Sequence, residues 1–166
     1  MLPEIKVILY ATDLSVHAGH ACRYAVYLAE KTDAEVHILH VAERLPADAL
    51  DTLESYLGKF KDRKNFVDAR LENAKQLLIE RFDKFWDSLS EEERLLRSRI
   101  ASLQVIESQP AETIIKYANE VNADMIVMGT HQKAPVQAFL GSISRRVLST
   151  SKIPTLIIPI GYQPPP

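Results

Sequence analysis

The chain has 166 residues, a formal net charge of -2, 25% charged and 46% hydrophobic residues, so one domain with a sizeable core is expected over 1–166. That charge gives no general attraction to nucleic acid or to an anionic membrane, and neither is expected as a partner. Cys22 is the sole cysteine, which excludes an intrachain disulfide and a cysteine metal cluster.

The first segment, "IKVILYA" (5–11), is a short apolar run rich in branched residues and reads as a buried parallel strand. It follows an N-terminus without a basic stretch, so no signal peptide is expected and a cytoplasmic location is. "SVHAGHACRYAVYLAEKT" (15–32) places Ala18, Cys22, Ala25, Val26, Leu28 and Ala29 largely on one helical face, with Ser15 as the expected N-cap. "AEVHILHV" (34–41) is the second strand, and its His37 and His40 are expected as hydrogen-bonded core histidines.

The segment from Leu45 to Ser98 is long for a crossover. Val67, Leu71, Ala74, Leu78, Phe82, Phe85 and Leu89 form one stripe of a long amphipathic helix. Leu50, Leu53, Leu57 and Phe60 have helical spacing before it, followed by the charged break "GKFKDRKN". A crossover helix with a solvated insertion accounts for this pattern. The sharper alternative is that the apolar face around Phe82, Phe85 and Trp86 docks a protein partner at 45–98.

"IASLQVIES" (100–108) is a weaker, more alternating strand. "PAETIIKYANEVN" opens with proline in its first turn, as helices do. "ADMIVMG" (123–129), "SISRRVLSTS" and "IPTLIIPI" (153–160) complete a strand, helix, strand series. The alternation predicts an α/β fold, a parallel sheet with helices on both faces. No apolar run approaches the roughly 20 residues needed to span a bilayer.

Candidate chemistry lies at the strand ends. In open α/β sheets ligands bind beyond the carboxyl ends of the strands, where the strand order reverses. The first strand ends in "ATDLS" with Asp13, and the fourth ends at Gly129. After eleven intervening residues Gly141-Ser142 opens the last helix. A helix N-terminus presents unpaired N–H groups and the positive dipole end to a phosphate. Lys133 would add charge in the loop. Each residue has a plainer role: Asp13 caps a turn, Gly129 ends a strand, and Gly141-Ser142 starts a helix. Only their convergence argues for a phosphate site. Neither a G-x-x-x-x-G-K-[ST] nor a G-x-G-x-x-G sequence is present. Asp13, His131 and Ser142 evoke a hydrolase triad, but no G-x-S-x-G elbow supports one, so no catalytic residue is assigned. His17 and His20 lack an acidic or cysteine partner at metal spacing, so no metal site is expected.

"ILYATDLS", "ILHVAE", "QPAETIIKYANEVNADMIVMGTH" and "LGSISRRVLSTSKIPTLIIPI" together resemble the universal stress protein family, in the family order and over nearly the whole chain outside 45–98. The resemblance implies a Rossmann-like, adenine nucleotide α-hydrolase-like sheet of five strands in the order 3-2-1-4-5. It also implies a homodimer through the last strand, from Pro154 to Ile160. One branch of the family binds ATP through G-x2-G-x9-G-[ST]; the other holds no nucleotide. Here Gly129 and Gly141-Ser142 match that pattern, Gln132 replaces the second glycine, and the following stretch is one residue shorter. The nucleotide-binding set implied by likeness is Ala11, Thr12, Asp13, Val41, Met128, Gly129, His131, Gln132, Gly141, Ser142 and Ile143. The ligand would be ATP with Mg, and the role that of a stress-response sensor. The alternative is a nucleotide-free dimeric adaptor. An ATP pyrophosphatase would need a Ser-Gly-Gly-x-Asp-Ser loop where this chain reads "ATDLS".

Overall fold

A computed structural model describes residues 1–57, 63–130 and 140–159. In chain order the elements are β1 (Val7–Ala11), α1 (Ala18–Thr32), β2 (Glu35–Glu43), α2 (Ala47–Leu57), α3 (Arg63–Asp87) and α4 (Glu91–Arg94). A 3₁₀ turn (Leu95–Arg99) leads to β3 (Ile100–Ser108), α5 (Pro110–Glu120), β4 (Met125–Gly129), α6 (Ser142–Thr150) and β5 (Thr155–Ile158). The strands form one parallel sheet in the order β3-β2-β1-β4-β5, as the family likeness implied.

The alternation of side chains along β1 divides the core. Ile8 and Tyr10 face α1 and the later part of α3, beside Ala25, Leu78, Phe85 and Trp86. Leu9 and Ala11 face α5 and α6, beside Ile114, Ala118 and Val147. Because both faces are covered, the central strands are continuously apolar. Between β2 and β3 the register slips at Val36/His37, where Ala101 is the unpaired extra residue.

The predicted stripe on α3 is the buried one. Leu78, Phe82, Phe85 and Leu89 are buried, and Val67, Leu71 and Ala74 are half-buried. Trp86 is 3% exposed, and its ring meets that of Phe85 edge-on with centroids 5.0 Å apart. The Arg23 guanidinium lies 5.8 Å from the Phe85 ring centre. Phe82, Phe85 and Trp86 are therefore core side chains, and the reading of them as a docking face is corrected.

One helix start and one additional helix also differ from expectation. α1 begins at Ala18, not after Ser15, because the preceding residues form a turn of their own. Leu14 takes a left-handed φ of 60°, Ser15 N–H donates to Asp13 Oδ1 at 2.9 Å, and Ala18 N–H returns to the Ser15 carbonyl. The N-cap position falls on His17, which makes no side-chain cap. α4 was not anticipated; a reciprocal Ser90–Glu93 capping box starts it.

β5 ends at Ile158 and is followed by Pro159. Ile160, the charged break around 58–62 and the C-terminal prolines lie outside the described residues. Among the described residues, no helix is long and apolar enough to cross a membrane.

Candidate functional site

β1 is the switch point of the sheet, because the chain leaves it towards β2 and β3 and later returns on its other side to β4 and β5. Beyond the carboxyl ends of β1, β2 and β4 lies a cavity of about 550 Å³. β2 and β4 flank β1, so the two ends of the cavity are separated by two strand spacings, roughly 10 Å.

The floor is the end of β1. Ala11, Thr12 and Asp13 all line the cavity. Thr12 continues the ladder by donating its N–H to the Leu39 carbonyl at 2.9 Å, and its hydroxyl oxygen accepts from Leu14 N–H at 3.2 Å. The Asp13 carboxylate is exposed and holds the turn through Ser15. Its expected capping role and its place in the cavity are thus both met. His40 Nδ1–H donates to the Thr12 carbonyl at 2.8 Å. A carbonyl can only accept, so this bond sets the tautomer, and the His40 ring helps line the cavity. His37 bonds Ser102 Oγ through Nδ1 at 2.6 Å and the Glu35 carboxylate through Nε2 at 3.1 Å. Both strand histidines are hydrogen-bonded, as anticipated.

At one end, β4 delivers Met128 and Gly129, followed by the buried Thr130, whose N–H donates to the Ile158 carbonyl at 2.9 Å. α6 begins here, and Gly141, Ser142 and Ile143 line the same cavity. Gly141 is the N-cap with φ -64° and ψ 163°, an extended conformation open to any residue. Gly141 has no side chain with which to cap the first amides of the helix. At Gly129 an added Cβ would sit 3.5 Å from the Ala21 Cβ, an ordinary contact. Neither glycine is demanded by backbone conformation. Each leaves bare main chain beside the cavity.

At the other end, β2 delivers Val41, Ala42 and Glu43. Here α3, in the crossover from β2 to β3, supplies Arg70 and Ala74. Arg70 Nη2 donates to the Glu43 carbonyl at 3.2 Å, and Nη1 stands 3.6 Å from Glu107 Oε2. That carboxylate oxygen is buried and makes no hydrogen bond, so the Arg70 charge is what compensates it.

Nine of the expected residues therefore meet around one cavity; His131 and Gln132, like Lys133, lie outside the described residues. The sequence reading missed Tyr10, His40, Arg70 and Ala74. Tyr10 is buried and donates its hydroxyl to the Ala18 carbonyl at 2.6 Å; burial holds its pKa above the ordinary value. Ala74 had one signal, the smallest side chain in a stripe of large ones. His17 and His20 also line the cavity, and among the described residues no group of three or more metal-ligating side chains occurs. Cys22 is buried, and desolvation pushes its thiol well above the usual range, so it is an inert core residue.

Comparisons with known proteins agree with this architecture. The sequence pattern of the universal stress protein family matches residues 4–159. The universal stress protein from the QAH/OAS sulfhydrylase 3′ region of Thermus aquaticus is 31% identical over 156 residues, covering 92% of this chain and 98% of the relative. The fold resembles that of universal stress protein UspA from Lactobacillus plantarum, with a TM-score of 0.68, 23% identity, and coverage of 95% and 99% of the two chains. It also resembles a universal stress protein solved in complex with cAMP, with a TM-score of 0.58, 18% identity, and coverage of 96% and 100%. The chain belongs to the universal stress protein family.

Proposed function

We propose that this protein binds an adenine nucleotide, ATP in the first instance, and acts as a stress-response sensor whose state follows that ligand. The observation that carries the reading is the joining of two unlike ends in one cavity. The α6 end offers bare main chain, Ser142 and a helix N-terminus whose N-cap is a glycine, which suits phosphates. The β2 end offers Val41, Ala42 and Ala74, which suits an apolar ring. A separation of roughly 10 Å fits a base at one end and phosphates at the other. The solved relative in complex with cAMP holds an adenine nucleotide, which supports the same ligand class here. Mg would enter with the triphosphate, since it favours phosphate oxygens plus one or two carboxylates, and Asp13 is the carboxylate at the floor. A cytoplasmic homodimer joined along β5 completes the proposal.

The test is thermal unfolding against ATP concentration. A ligand bound only by the folded state stabilises it by about 2.7 kcal/mol at a hundredfold excess over Kd. The unfolding midpoint should rise with ATP and stay flat with sodium chloride of matched ionic strength. A midpoint indifferent to ATP would refute the reading and leave the nucleotide-free adaptor as the better one.

A further inference from the structure

We infer that the crossover helix α3 is the wall that closes the base end of the cavity, which makes Ala74 and Arg70 specificity-determining residues for the ring the protein accepts. The inference rests on the nucleotide reading and adds to it residues of α3, which are not in the binding set implied by the family likeness. Three observations meet here. Ala74 and Arg70 line the cavity beside Val41 and Glu43, although about thirty residues separate the two pairs in sequence. Arg70 ties α3 to two strand ends at once, through the Glu43 carbonyl and the Glu107 carboxylate. Glu107 Oε2 is buried without a hydrogen bond, so withdrawing Arg70 would strand a charge; the wall is held in place by electrostatics.

The chemistry of the slot follows. Its lining of Val41, Ala42 and Ala74 is apolar. Of the charged residues lining it at this end, Arg70 is turned towards Glu107 and Glu43 is exposed. A planar aromatic ring fits such a slot better than a charged or strongly hydrated group. The methyl group of Ala74 sets its width, because any larger side chain at that position would occupy the space of the ring.

Photolabelling of the wild-type chain with 2-azido-ATP and 8-azido-ATP, followed by trypsin, provides the test. Cleavage after Arg70 and Lys75 isolates residues 71–75, and label displaced by excess ATP should appear in that peptide. Ala74→Trp should weaken ATP binding at least tenfold while the unfolding midpoint of the ligand-free protein stays unchanged. Displaceable label confined to peptides outside 63–87, or a tryptophan variant that binds ATP like the wild type, would overturn the inference. Labelling that ATP fails to displace anywhere would instead sink the nucleotide reading itself. The peptide map decides the matter even where the tryptophan variant fails to fold.

Discussion

Asp13 uses one carboxylate for two tasks. Its Oδ1 accepts from Ser15 N–H, which fixes the turn containing left-handed Leu14, and the group faces the cavity. The two tasks can be separated. Asp13→Asn keeps an acceptor oxygen for Ser15 but removes the charge, so the unfolding midpoint should hold while ATP binding loses its dependence on Mg. Asp13→Ala loses the turn bond as well and should cost about 0.5–1.5 kcal/mol of stability. Calorimetric unfolding with ATP titrations at several Mg concentrations reads both; an Asn variant that still responds to Mg would remove Asp13 from the metal's surroundings. Asp13, Gly129, Gly141 and Ser142 were legible because each sits where a strand stops or a helix starts. Arg70 was not legible, because its partners Glu43 and Glu107 lie 27 and 37 residues away and no local spacing announces them. Cys22 was legible as a small apolar residue on the buried face of α1. Native protein at mildly alkaline pH should therefore resist iodoacetamide, and rapid alkylation would show that α1 opens.

At the scale of elements, the period of the apolar stripe decided most of what could be known. The steps of three and four from Val67 to Phe85 gave α3 its buried face, and Leu89 continues it just past the helix end. Their density did not reveal whether Phe82, Phe85 and Trp86 served the core or a partner, since both uses need the same spacing. The fold resolves this by laying α3 beside α1, with Arg23 over Phe85. Trp86→Ala should cost about 3–5 kcal/mol, as large aromatic truncations do, and a loss below 1 kcal/mol in urea unfolding would contradict its burial. Ser15 was misread as a cap because serine satisfies a turn as readily as a helix start, and Asp13 and Leu14 chose the turn. The sequence "SEEE" at 90–93 did carry a capping-box signal for α4, but a four-residue helix lies below the reach of periodicity. Both the N–H and the hydroxyl of Ser90 donate to Glu93 Oε2, and these bonds hold that carboxyl below its ordinary value. The cap is therefore complete above the usual glutamate range and is lost as pH falls through the lowered value. An NMR titration of the Ser90 amide should show this transition displaced downward.

At the scale of the molecule, alternation of strands and helices made the fold class legible, while the strand order came from family likeness rather than from any local pattern. The order matters because it makes β1 the switch point and leaves β5 at an edge. The carbonyls of Pro154 and Ile158 bond back to β4, so by alternation the N–H and C=O of Thr155 and Ile157 face outward. We propose that this free edge pairs with its copy, since a bare apolar edge invites aggregation. Ile157→Pro removes an outward donor and should give monomer in sedimentation velocity; a dimer that survives it would place the interface elsewhere. Ile158→Lys is a poor probe, because Ile158 is buried in the core. The central claim is that the amides at the start of α6 hold the phosphates of a nucleotide in this cavity. Calorimetric titration of ATP into the wild type and into Gly141→Asp tests it most directly. Wild type should bind one ATP per chain, and Gly141→Asp should lose at least tenfold in affinity with its fold intact, because a carboxylate there opposes the phosphates. Equal binding by both proteins, or no binding by the wild type, would contradict it.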